Sequence, residues 1–318
     1  IQEGGILRPV NRKQKQEFFL PKEQCDGLKA GDLILAELEP KHRNRMLGMP
    51  QAKVSENFGP ADSPGCFSLI AAYHHEIPTE FPEAALAEAQ AAPEIAPDGR
   101  TDLRAIPLVT IDGKDARDFD DAVFAEADGD GWHLLVAIAD VAHYVTPGSA
   151  LDKEAITRGN SVYFPDRVVP MLPEALSNGL CSLNPNEDRY CLAAHLWISA
   201  EGVIQRYEFV RGIMRSQARL IYEQVQDLWN TQNPEWLPIL APLYGAYHSL
   251  LKHREERGAL ELDLPEYEIV LGEDGKVESV KKRLRVDSHK LIEEFMIAAN
   301  VAAADAIEHH GTDGIFRI

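Results

Sequence analysis

The stretch that most constrains this chain is LVTIDGKDARDFDDAVF, residues 108–124. It carries five aspartates, Asp112, Asp115, Asp118, Asp120 and Asp121, against only Lys114 and Arg117. Two carboxylates held about 4 Å apart repel by roughly 4 kcal/mol at an effective dielectric of about 20. A fold that gathers four of them needs protons or a bound cation, and hard oxygen ligands suit magnesium or manganese. Residues 107–111 are a short apolar, β-branched run that reads as a strand. Asp112-Gly113 is a turn signal directly behind it, so Asp112 is expected at a strand end. In an extended segment Asp118 and Asp120 share one face and Asp121 points the other way, so the segment must bend for all of them to reach one ion. The alternative is a solvated acidic surface loop. Phe119 inside the run and Ala122-Val123-Phe124 after it anchor the loop in core, which favours a metal site.

With 318 residues, 45% hydrophobic and 26% charged, the chain has room for two domains and a sizeable core. No apolar run reaches the length of a membrane span, and no signal peptide is evident. The four cysteines are scattered without a C-x-x-C pair, as reduced thiols of a cytoplasmic protein would be. The net charge of −19 excludes a surface coated in positive charge for nonspecific nucleic-acid binding. Residues 1–50, however, carry nine Lys and Arg against seven Asp and Glu, so the acid excess lies beyond them.

Residues 5–10, 18–21, 31–38 and 52–58 read as short strands separated by turn residues, the spacing of a small antiparallel barrel. Arg8, Arg12, Lys13 and Lys15 beside Phe18 and Phe19 make either a groove for a single strand or a polar hairpin over core rings. Residues 64–77 and 82–92 read as helices, the first with Ser63 as cap and Pro64 at its first position. Residues 91–100 read as a linker and 132–140 as a strand, with His143 and Tyr144 capping a sheet edge. Pro165, Pro170 and Pro173 fix 158–185 as a rigid, non-helical loop. That loop presents Tyr163 either for stacking on a base, worth about 1–3 kcal/mol, or as a packed ring. Residues 192–199 and 207–213 read as a strand pair about Glu201-Gly202. Helices are expected from 218 to 229, from 236 to 257 ending at Gly258, and from 287 to 310 capped by Asp287 or Ser288. Leu291, Phe295, Ala298, Ala299 and Ala302 give the last its buried stripe. Residues 314–318 read as a strand cut short, and Ile1 rather than Met opens the chain, so truncation at both ends is expected.

Three segments in order, TIDGKDARDFDDAV, RGNSVYFPDRVVPMLPEALSNGLCSLNP and DSHKLIEEFMIAAN, resemble motifs of the ribonuclease II / ribonuclease R (RNB) family of 3′→5′ exoribonucleases. The likeness covers roughly residues 100–318, and RGNSVYFP is similar to the ribonuclease R branch. The resemblance implies an α+β chain. An N-terminal antiparallel OB-type, cold-shock-like barrel would occupy residues 1–60 and a helical connector 61–99. The N-terminal part of a mixed α/β RNB catalytic domain would occupy 100–318. The activity implied is magnesium-dependent, processive hydrolysis of single-stranded RNA to nucleoside 5′-monophosphates by a cytoplasmic monomer.

The resemblance also implies roles. Asp112, Asp118 and Asp121 would hold metal. Asp120 would position a second metal or the leaving 3′-oxygen. Tyr163 would stack on the 3′-terminal nucleotide, and Leu262 stands where several relatives carry a phenylalanine that completes the clamp. Tyr222 would contact RNA near its 3′ end, and Glu293 would face the last nucleotides. Read from the residues alone, Tyr222 and Glu293 fit exposed helix faces equally well. In the family a further half follows, with an arginine, a second glutamate and usually an S1 domain, so a catalytically silent RNA-binding chain is the alternative. A dehalogenase-type D-x-D nucleophile fails because no apolar strand directly precedes Asp118. An EF-hand fails because Arg117 and Phe119 occupy ligand positions.

Overall fold

The computed structural model describes residues 4–11, 13–43, 48–93, 95–96, 99–260 and 264–316. They form two compact units whose division does not follow the chain. Residues 1–80, 162–169 and 267–281 make the first unit, and 81–161, 170–266 and 282–318 the second.

In the first unit Gly4–Leu7, Phe18–Pro21, Asp32–Arg43 and Pro50–Pro60 form one sheet, with the fourth strand between the second and third. The pairing departs from the wholly antiparallel pattern the spacing predicts: Phe18–Pro21 meets Pro50–Pro60 in parallel at Phe19↔Gln51. Phe19, Leu20, Leu33 and Ala52 are buried, so Phe19 is a core ring rather than a wall of a groove. Arg8 is ion-paired to Glu17 at 2.8 Å, and Arg12 lies outside the described residues. The helix Pro64–His74 is shorter than expected. Ser63 precedes it, but its Oγ lies 3.0 Å from Cys66 Sγ and caps no backbone N–H.

The stretch 158–185 is not one non-helical loop. Val162–Tyr163 and Val168–Val169 pair as a hairpin in the first unit. There Ser68 Oγ–H donates to Asp166, and Arg167 donates to the Gly65 carbonyl at 2.9 Å. In the second unit Ala175–Leu180 forms a π-type helical turn.

The second unit is built on a seven-stranded sheet. Its order is Ala218–Ile221, Val109–Asp112, Asp121–Asp128, Gly131–Ala139, Asp188–Ile198, Ile204–Arg215 and Thr101–Asp102. The outermost pairing at each edge is parallel and the inner ones antiparallel. Leu134 and Val136 point to one face and Leu135 and Ala137 to the other, as the two-residue period of a strand requires. Both faces are covered by helices, which is why Gly131–Ala139 reads as an almost unbroken apolar run. Leu237–Glu256 and Asp287–His309 cover one face, Glu83–Gln90 and Ala150–Arg158 the other. Gly245 lets the first of these lie close on the sheet: a Cβ there would stand 2.3 Å from the Trp132 ring.

Three further expectations need correction. Residues 218–221 are a strand, because parallel pairing with Val109–Asp112 satisfies their backbone; the helix starts at Tyr222. The last helix is capped at neither Asp287 nor Ser288: Val286 occupies the cap position, and the Ser288 hydroxyl instead donates to the Tyr222 carbonyl at 2.7 Å. Residues 312–316 form no strand. Among the described residues, no helix is long and apolar enough to cross a membrane. Cys25, Cys66, Cys181 and Cys191 are free, and burial pushes the Cys181 and Cys191 thiols up to about 12.

Candidate functional site

Asp112 is the last residue of the Val109–Asp112 strand, whose Val109, Thr110 and Ile111 are fully buried. The chain turns at Gly113, and the Ala116 amide donates back to the Gly113 carbonyl at 3.1 Å. From there to Asp121 the loop is held by groups distant in sequence. Arg219 donates to the carbonyls of Lys114 at 2.8 Å and Ala116 at 3.1 Å, and its guanidinium lies 4.7 Å from the Phe119 ring centroid. Ser182, fully buried, accepts from the Phe119 amide at 3.0 Å and donates to the Arg117 carbonyl at 3.1 Å. Leu183 N–H donates to the Phe119 carbonyl, and Ala139 N–H to that of Asp120. With the Phe119 ring buried, the loop is anchored in the core, and no turn or bend interrupts residues 116–120; Asp118, Asp120 and Asp121 nonetheless all act on Asp112.

The electrostatics follow from burial and from the nearness of the acids to one another. Asp112 is pushed up to about 7, first by burial and then by Asp121, Asp120 and Asp118, with Arg219 opposing. Asp121 is raised to about 6 by burial and by Asp120. Asp120, although exposed as a residue, is raised to about 6 by burial of its carboxyl and by Asp118. Asp112 Oδ2 and Asp121 Oδ2 are buried with no hydrogen-bond partner, an arrangement that costs free energy until a proton or cation meets them. Among the described residues, no three His, Cys, Asp or Glu side chains already stand as a ligand set. The four acids thus share one electrostatic neighbourhood, and joint coordination requires side-chain rotation. A hard divalent cation fits this oxygen-only donor set.

Tyr222 reaches the same neighbourhood through strand register. Ile221 pairs with Asp112, so Tyr222 is the next residue beyond the acid-bearing strand end. Burial first, then Asp112 and Asp121, push its hydroxyl up to about 12. Tyr163 is 65% exposed on the hairpin of the first unit. Glu293 is ion-paired to Arg254 at 3.3 Å and to Arg285. Leu262 lies outside the described residues. Ser182 and Arg219 carry no local signal that marks them as supports of the acid loop, since their partners lie 63 to 105 residues away.

Residues 100–318 match the RNB domain family, and residues 6–82 match the cold shock domain. The chain belongs to the RNB family. Its fold is accordingly α+β, a cold-shock/OB domain followed by RNB-domain sequence. Over 321 residues the chain is 44% identical to ribonuclease R of Vibrio parahaemolyticus, covering 98% of this chain and 38% of that protein. It therefore spans about two-fifths of the length of such curated relatives. Among solved structures it is similar to Mycoplasma genitalium RNase R in complex with double-stranded RNA. That likeness has a TM-score of 0.83 and 26% identity, covering 94% of this chain and 54% of that one. The same protein in complex with ribose-methylated single-stranded RNA matches with TM-score 0.83 and 25% identity, over 97% of this chain and 51% of that one.

Proposed function

We propose that this chain carries the metal-binding part of a 3′→5′ exoribonuclease site that hydrolyses single-stranded RNA processively to nucleoside 5′-monophosphates. The observation that carries this reading is the acid cluster: Asp112 and Asp121 each bury an unpartnered carboxylate oxygen, and both are raised by neighbouring carboxylates. Membership of the RNB family and likeness to ribonuclease R support it. Asp112, Asp118, Asp120 and Asp121 would hold magnesium or manganese. Such an ion, when bound, supplies charge against the phosphoryl oxygens and lowers the pKa of an attacking water.

The protein's own contribution is orientation. The Ser182 and Arg219 hydrogen bonds hold the acid loop in place, and partial burial reduces the water that would otherwise screen the charges. Asp120, the one exposed residue of the three raised acids, is assigned to a second metal or to the leaving 3′-oxygen and is the carboxylate the chemistry needs most. Tyr222 is assigned to contact with RNA near its 3′ end and Glu293 to the last nucleotides, while Tyr163, exposed in the first unit, is assigned to stacking on a base. The protein acts as a cytoplasmic monomer; its free cysteines suit a reducing compartment.

A second reading, a catalytically silent RNA-binding chain, is favoured by one observation: the described acids do not yet form a ligand set. Incubation of the chain with 3′-labelled single-stranded RNA separates the two. Metal-dependent mononucleotide release that stops in chelator and in Asp120→Asn, with RNA binding kept in that variant, is the expected result. Binding without release would support the silent chain, and undiminished turnover in Asp120→Asn would overturn the role given to that residue.

A further inference from the structure

His289 lies in the first turn of the Asp287–His309 helix, and its ring rests flat on Tyr222. The centroids are 4.0 Å apart and the planes 19° from parallel. The two helix starts are cross-tied: Ser288 Oγ–H donates to the Tyr222 carbonyl at 2.7 Å, and the Ser288 amide donates to Gln226 Oε1 at 3.2 Å. The tautomer of His289 follows from its hydrogen bond. Val286 N–H donates to His289 Nδ1 at 3.3 Å, so Nδ1 presents its lone pair and the ring proton is on Nε2. That Nε2–H is buried and has no acceptor. Burial first, then Arg283 and Arg285, disfavour a second proton while Glu223 opposes them, and an Nδ1 that accepts the Val286 N–H belongs to a neutral ring.

An unmatched buried donor in a native fold calls for an explanation, and an acceptor brought by a ligand is one. The acceptor must suit its surroundings. The Arg283 guanidinium acts on His289 and stands 3.9 Å from where a Cβ of Gly113 would be, beside the Asp112-Gly113 turn. An N–H donor flanked by a guanidinium fits a phosphate oxygen better than a neutral hydroxyl. The stacked ring meanwhile fixes Tyr222, which directly follows the residue paired with Asp112.

We propose that His289 is a substrate-contacting residue, resting on the reading of the acid cluster as an RNA-end site. Its Nε2–H donates to a phosphate oxygen near the 3′ end of the strand, and its ring is the platform that positions Tyr222. The test uses the Asp120→Asn chain with magnesium, so that RNA is bound and not consumed. Equilibrium binding is measured with single-stranded RNAs carrying one neutral methylphosphonate at each of the last few linkages in turn. His289→Phe keeps the stack and removes the donor, and His289→Gln restores an N–H near the same position. Tryptophan-monitored unfolding of both checks that the unit is intact.

The Phe variant should bind unmodified RNA about tenfold more weakly, and the Gln variant should recover most of that. At one linkage, the methylphosphonate should weaken binding to the His289 chain and leave the Phe variant unaffected. Equal affinity of the Phe variant and its parent would overturn the proposal. So would methylphosphonate effects that are the same in both chains at every linkage, because a merely structural histidine would give that pattern. Failure of the His289 chain to bind RNA at all would overturn the RNA-end reading, and this proposal with it.

Discussion

Asp121→Asn removes one charge from the acid cluster with almost no change of shape. In the folded chain the Asp121 carboxyl is raised from 3.8 to about 6. A carboxyl raised in this way binds its proton more tightly folded than unfolded. Stability is therefore lost as pH rises from about 4 through about 6, and the deficit is complete above about 7. At about 1.4 kcal/mol per pH unit the ceiling is about 3 kcal/mol. Coupling to Asp120 and residual solvent bring the expected value to ~1–2 kcal/mol. Asparagine escapes that cost, and its amide can donate to a neighbouring carboxylate where Asp121 Oδ2 has no partner.

All four tryptophans, Trp132, Trp197, Trp229 and Trp236, belong to the second unit, so their fluorescence follows the unfolding of that unit. In urea and chelator at pH 8 the variant should be the more stable chain by ~1–2 kcal/mol. At pH 4.5, where the native carboxyl is already protonated, the difference should shrink to a few tenths of a kcal/mol. A variant less stable at pH 8, or a gain independent of pH, would refute the view that Asp121 is an uncompensated buried charge.

Ser182→Ala leaves the Phe119 amide and the Arg117 carbonyl without their buried partner. It should cost ~1–3 kcal/mol in urea unfolding and weaken manganese binding, although Ser182 is not itself a ligand. Arg254→Met strips the buried Glu294 of its ion-pair partner and should destabilise by about 3 kcal/mol. Adding Glu294→Gln to that variant should recover most of the loss, as a double-mutant cycle would read directly.

Much of this architecture was legible in the residues. The apolar run into Asp112-Gly113 gave a strand ending at an acid, and the run from Trp132 gave the strand beside it. Gly258 and the apolar spacing before it set the end of Leu237–Glu256. Ala150–Arg158 was passed over, although its signals are local: Ser149 Oγ accepts from the Asp152 amide at 3.1 Å, and Gly159 closes it at φ 75°. Other features had no local signal. ARLI at 218–221 suits helix or strand alike, and only an edge offered by Val109–Asp112 decides between them. Ser63 and Ser288 both look like caps, yet one hydroxyl faces a thiol and the other a carbonyl in another helix. The acids themselves were readable. Ser182, which holds their loop, was not, because its partners lie more than sixty residues away.

The shared cation is tested most directly by manganese titration of the chain at pH 8, followed by electron paramagnetic resonance of the free ion. Saturable binding that is lost in Asp112→Asn and Asp121→Asn, and that weakens as pH falls through about 7 to 6 where these carboxyls take up protons, is the expected result. Binding indifferent to both substitutions, or no saturable binding at all, would contradict it.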